Sequence, residues 1–137
     1  MILAVCLDDK FGMSFLGRRQ SRDREISAQL LSRLKKGRLW LECRSAELFD
    51  EDDSRITVTD GFPENYGRED VVFCENLSFV GDLTRFSCIW MYRWNCVYPA
   101  DVYFPIDEVR EHFIMSESMD YAGFSHERIT LEVYERA

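Results

Sequence analysis

The first strand constrains this chain more than any other feature. Ile2 to Leu7, ILAVCL, is an unbroken apolar run that stops at Asp8-Asp9. An amphipathic helix or a strand with one wet face alternates; a run apolar at every position belongs to a strand buried on both faces, which means a parallel sheet covered by helices on either side. Asp70 to Cys74, DVVFC, repeats the pattern, and Phe86 to Arg93 is again strand-like. Near the end RITLEVYE alternates clearly, the profile of a strand with one wet face.

Between these strands the spacing predicts a helix after a loop. Lys10 to Gln20 reads as loop, with Gly12 and Gly17 free to take unusual dihedrals. Ser21 offers an N-cap, Glu25 falls in the first turn, and Ile26, Leu30, Leu31 and Leu34 recur at helical spacing until Gly37. Arg38 to Cys43 is a second strand, and Ser45 can cap a short helix over Ala46 to Phe49. An acidic turn at Glu51 to Asp53 precedes a strand over Arg55 to Thr59, and Asp60 to Arg68 is loop. Asn76 can cap a short helix, Val97 to Pro105 is extended, and the last two segments are His112 to Glu117 and Glu127 to Glu135. The expected architecture is α/β: a doubly wound, mostly parallel sheet closed by an antiparallel C-terminal hairpin, in one domain over residues 1–137.

Composition narrows the setting. No apolar stretch reaches a membrane-spanning length, and the opening run is too short for a secretory signal. Cys6, Cys43, Cys74, Cys88 and Cys96 are odd in number and lack C-x-x-C spacing, so they read as reduced, mostly buried side chains in a cytoplasmic protein with no zinc site. Two histidines without metal-binding spacing add nothing to that. The net charge of −8 is uneven: residues 17–38 carry +6, leaving −14 elsewhere. The whole repels nucleic acid, while one region favours anions. Arg18, Arg19 and Arg22 precede the helix and suit a phosphate or carboxylate; the same guanidiniums could neutralise Asp8, Asp9 or the acidic turn. There is no P-loop, G-x-G-x-x-G or Gly-x-Ser-x-Gly, and adjacent Ser125 and His126 point to opposite strand faces, which gives no hydrolase triad. YRWNCVYP at 92–99 and His112 read as packing residues.

In order along the chain, MILAVCLDDKFGM, RLWLECRSAELF, DVVFCEN, ADVYFP at 100–105 and FSHERITLEVYERA at 124–137 resemble dihydrofolate reductase. The first looks like that family's opening strand and glycine–methionine loop, ADVYFP its D-T-x-F-P signature, and the last its closing S-H strand. The resemblance implies a pterin pocket beside Met13, with Asp23 or Glu25 as the early-helix catalytic acid. It implies phosphate contacts for a nicotinamide dinucleotide from Arg44 and Ser45, and an Asp101 that anchors the glycine–methionine loop. The departures matter equally. Glu75-Asn76 stands where the family has a glycine pair against the pyrophosphate, so NADPH is disfavoured; RRQSRD replaces the Pro-Trp of the loop. The expectation is a divergent fold member binding an anionic, pterin-like or nucleotide-like molecule. The alternatives are a working NADPH-dependent reductase, and a non-catalytic partner-binding or self-associating protein such as a homodimer.

Overall fold

The computed structural model describes residues 1–50 and 52–137; Glu51, at the head of the expected acidic turn, lies outside the described residues. Ten strands appear in chain order: β1 Ile2–Leu7, β2 Gly12–Phe15, β3 Arg18–Arg19, β4 Leu39–Leu41, β5 Ile56–Val58, β6 Val71–Phe73, β7 Cys88–Arg93, β8 Val102–Tyr103, β9 Phe113–Tyr121 and β10 Ile129–Arg136. The helices are α1 Arg24–Arg33, α2 Leu77–Val80 and α3 Ile106–His112, with 3₁₀ turns at Cys43–Leu48 and Leu83–Arg85. The main sheet has the order β5-β4-β6-β1-β7-β10-β9. Its first five strands run parallel, and β10 and β9 add the antiparallel hairpin.

The apolar run of β1 lies at the centre for the reason its composition suggests. Leu3, Val5 and Leu7 enter one core with Ile89, Met91 and Phe86, while Ala4 on the opposite face joins α1 residues Ile26 and Leu30 in a second core with Trp90 and Tyr92. The chain leaves β1 through α1 on one face, to β4, and leaves β6 through α2 on the other, to β7. The crevice between the carboxyl ends of β1 and β6 is therefore the topological switch point where open α/β sheets place ligands. No helix among the described residues is long and apolar enough to cross a membrane.

Several local expectations are corrected. The cap of α1 is Asp23, whose Oδ1 accepts from Glu25 N (2.9 Å), and not Ser21. The helix ends at Arg33, well before Gly37, because Arg55 donates to the carbonyls of Leu31 (3.0 Å) and Leu34 (3.1 Å) and so satisfies the groups a glycine cap would otherwise serve. Gly37 has another purpose: a Cβ there would stand 1.9 Å from the Glu69 carbonyl oxygen. The Lys10–Gln20 loop contains the hairpin of β2 and β3, which forms a three-stranded sheet with β8. Glu42, not Ser45, precedes the 3₁₀ turn. In the second half α3 was not anticipated, and His112, at its end, is half exposed instead of packed.

Candidate functional site

At the switch point the chain folds its own polar groups together. Asp8 is buried at the end of β1, and its carboxylate accepts from the amides of Lys10 (2.9 Å), Gly12 (2.8 Å) and Tyr98 (3.2 Å) and from Gln20 Nε2 (3.0 Å). The arginines do not neutralise it. With its acceptors filled by backbone, Asp8 fixes the turn into β2 and holds Gln20 beside the crevice.

Arg19 points inward from β3. Its Nε donates to Glu75 Oε2 (2.7 Å) and its Nη2 to Glu75 Oε1 (3.0 Å) and the Arg44 carbonyl (2.7 Å); Nη1 meets Glu47. Ser45 Oγ donates to Glu75 Oε1 (2.7 Å). This two-pronged pair, made to a carboxylate just past β6, raises the Arg19 pKa further, and it lies across the crevice. What remains beneath is a cavity of about 30 Å³, room for roughly one water. Cys6, Met13, Ile26, Phe73 and Trp94 supply its apolar wall, and Ser21, Arg22 and Asp23 part of its rim. Burial drives the Cys6 thiol well above its usual pKa, so it is a wall residue and not a nucleophile. A groove of about 480 Å³ adjoins the cavity, sharing Arg19 and Gln20 and bounded by Phe15, Leu16, Arg18, Tyr98 and Pro99. Gln20 Oε1 is buried and has no partner among the described residues.

Asp23 behaves as a knot. Oδ1 accepts from the amides of Glu25 and Phe124 (both 2.9 Å), and Oδ2 from the amides of Ser125 and His126 (both 3.0 Å) and His126 Nδ1 (3.0 Å), while Ser125 Oγ donates to the Arg22 carbonyl (2.8 Å). Burial alone would raise its pKa; the amides of Phe124 and Glu25, then the His126 ring and the Ser125 amide, outweigh that and bring it to about 2. Arg24 stacks over Phe124, 3.5 Å from the ring centroid, and closes the same loop onto α1. A carboxylate so engaged has no lone pair left for a pterin, and the α1 side chain that faces the cavity next is Ile26. Glu25 is half-buried and does not line the cavity.

The other predicted residues take varied positions. Arg18 and Arg22 are exposed and make no ion pair among the described residues. Met13 is buried in the cavity wall. Arg44 is exposed, whereas Ser45 is fully buried and committed to Glu75. Asp101 Oδ2 accepts from Leu16 N (3.1 Å), at the tip of the β2–β3 hairpin. Beyond β6, Asn76 caps α2 with its own side chain, accepting from Ser78 N (3.1 Å) and Ser78 Oγ (2.9 Å). A pyrophosphate does not fit these residues: the amide it would seek is taken, the Ser45 hydroxyl is taken, and the Glu75 carboxylate stands in its place.

Sequence reasoning missed His126. Its ring stacks on Trp94 (centroids 4.6 Å, 26°), and its Nε2 lies 2.7 Å from Tyr98 Oη and 3.3 Å from Ser21 Oγ. Ser21 and His126 are 105 residues apart, so only the fold brings them together.

No family model matches the sequence, and no curated protein matches it. Among solved structures, dihydrofolate reductase from Enterococcus faecalis, complexed with NADP(H) and RAB-propyl, is similar over 99% of this chain and 96% of its own, with a TM-score of 0.65 and 12% identity. Strand order, parallel core, antiparallel terminal hairpin and this full-length correspondence agree: the chain has a divergent dihydrofolate reductase-like fold.

Proposed function

We propose that the chain uses this fold to bind a small anionic molecule, pterin-like or nucleotide-like, in the groove over Gln20 and Tyr98, and that it does not use NADPH. The observation that carries the reading is the pair Arg18 and Arg22, without carboxylate partners among the described residues in a chain of net charge −8, flanking an Arg19 that is already satisfied. Gln20 Oε1 offers an acceptor for a ligand N–H beside them. Engagement of Arg19 by a ligand would have to exchange its bonds to Glu75, which makes that residue the closure of the crevice, with Arg18 the first contact on the groove and Arg22 the contact on the adjoining cavity.

The test is calorimetric titration with a nucleoside monophosphate, a pterin carboxylate and NADPH. One of the first two should saturate, and Arg18→Ala with Arg22→Ala should weaken it by about tenfold or more, the scale of one lost charge-assisted bond, without moving the melting temperature by more than a few degrees. Saturable micromolar NADPH binding would sink the reading and restore a reductase.

A second reading, docking of another protein chain, is favoured by exposed apolar side chains around the small sheet: Leu16 (73% exposed), Tyr103 (52%) and Phe15 (40%). Concentration-dependent sedimentation that Leu16→Glu abolishes would support it.

A further inference from the structure

Asp23, His126 and Ser21 form a hydrogen-bonded series that ends on the cavity rim, and we propose that it is an acyl-transfer centre in which Ser21 is the nucleophile, His126 the general base and Asp23 the positioning residue. The chemistry follows from what each atom can do. A carboxylate only accepts, so the Nδ1 that lies 3.0 Å from Asp23 Oδ2 carries the hydrogen and the Nε2 lone pair faces the hydroxyls. Four amides hold the Asp23 carboxylate in place, and Trp94 holds the ring plane, so the tautomer and orientation of His126 are fixed before any substrate arrives. Ser21 Oγ, 3.3 Å from Nε2, is the hydroxyl of the pair that lines the cavity.

In the reaction Nε2 takes the Ser21 proton as Oγ bonds to the acyl carbon. Collapse of the tetrahedral adduct breaks the bond to the leaving oxygen, which takes the proton from His126. Water, deprotonated by the same Nε2, then attacks the acyl-serine, so that ester and water give acid and alcohol with Ser21 restored. Arg22 lines the same cavity and would supply a cationic donor for the developing oxyanion. The cavity as it stands has room for about one water, so the acyl end must reach Ser21 from the adjoining groove, past Arg19 and Gln20, which border both; the substrate class is a small ester bearing a phosphate or carboxylate. That choice of anionic ester rests on the ligand reading above; the reactivity of Ser21 does not.

Tyr98 makes a sharp test. Its Oη is the closer partner of Nε2, at 2.7 Å, and competes with Ser21 for the lone pair. Wild-type protein and variants are treated with a neutral short-chain fluorophosphonate, and the adduct is located by intact mass and peptide mapping. The expected result is one adduct on Ser21, forming about tenfold faster in Tyr98→Phe, the equivalent of one ~1.4 kcal/mol hydrogen bond. It should form about a hundredfold more slowly in His126→Gln. An unlabelled Ser21 in both wild type and Tyr98→Phe overturns the proposal, as does a labelling rate that Tyr98→Phe leaves unchanged. His126 also braces the 123–126 loop, so a misfolded His126→Gln would leave the decision to Tyr98→Phe, which removes a single hydroxyl. Because the probe is neutral, labelling without anion binding would retire only the ligand reading, and anion binding without labelling would retire only this one.

Discussion

Replacing Asp23 by Asn tests the knot that joins the start of α1 to the last loop. The carboxylate moves from the ordinary aspartate value of 3.8 to about 2 on folding. A shift of roughly 1.8 units at 1.36 kcal/mol per unit gives about 2.4 kcal/mol of stability at neutral pH. The side chain is fully enclosed by these partners. A depressed carboxylate pKa stabilises above the unfolded value and is lost as pH falls through the folded one: the contribution drops to about 1.3 kcal/mol at pH 3 and about 0.4 kcal/mol at pH 2. The amide substituent also turns one acceptor into a donor facing several N–H groups, which adds about 1–3 kcal/mol at every pH. Urea unfolding followed by tryptophan fluorescence should place the neutral-pH midpoint of Asp23→Asn about 2 M or more below wild type. The gap should then narrow by about 2 kcal/mol as pH falls from about 5 to 2, the window in which the carboxylate itself takes up its proton. A gap independent of pH, or an unchanged midpoint, would refute the reasoning.

Two further outcomes follow from backbone geometry, beside the arginine and serine tests already described. Gly37→Ala puts a Cβ into the Glu69 carbonyl, 1.9 Å away, and should cost about 2–4 kcal/mol in thermal denaturation, since backbone must yield on both sides. Asp101→Ala frees Leu16 N at the hairpin tip and should speed amide hydrogen exchange over residues 12–19 while leaving the melting temperature within about 2 °C, because that bond is exposed.

The sequence exposed the fold where burial is symmetrical and local. ILAVCL and DVVFC could only be central strands, and RITLEVYE could only be half-wet; these three positioned the sheet. It concealed the hairpin of β2 and β3, because Gly12, Phe11 and Leu16 solve its turns with positive or crowded backbone that no periodicity signals. The end of α1 was hidden for a different reason: Arg55, on another segment, does the capping. The site was legible as a region. RRQSRD and Glu75-Asn76 were both marked as departures from the resembling family, yet nothing local says that Arg19 and Glu75 engage each other across 56 residues. His126 was weighed only with its neighbour Ser125, because nothing local says that its ring reaches Ser21 Oγ, 3.3 Å away across 105 residues.

The Asp23 knot also bears on how the chain comes into being. Its partners at Phe124, Ser125 and His126 follow it by 101 to 103 residues, about three quarters of these 137 residues. During synthesis α1 emerges with its cap accepting only from Glu25 N, and the cavity rim stays unformed until the C-terminal segment has left the ribosome. The loop-closure entropy of that long-range contact is met only when the loop before β10 docks onto the start of α1. A chain stalled or clipped a dozen residues short would hold much of the parallel core without the His126 arm of the knot or strand β10.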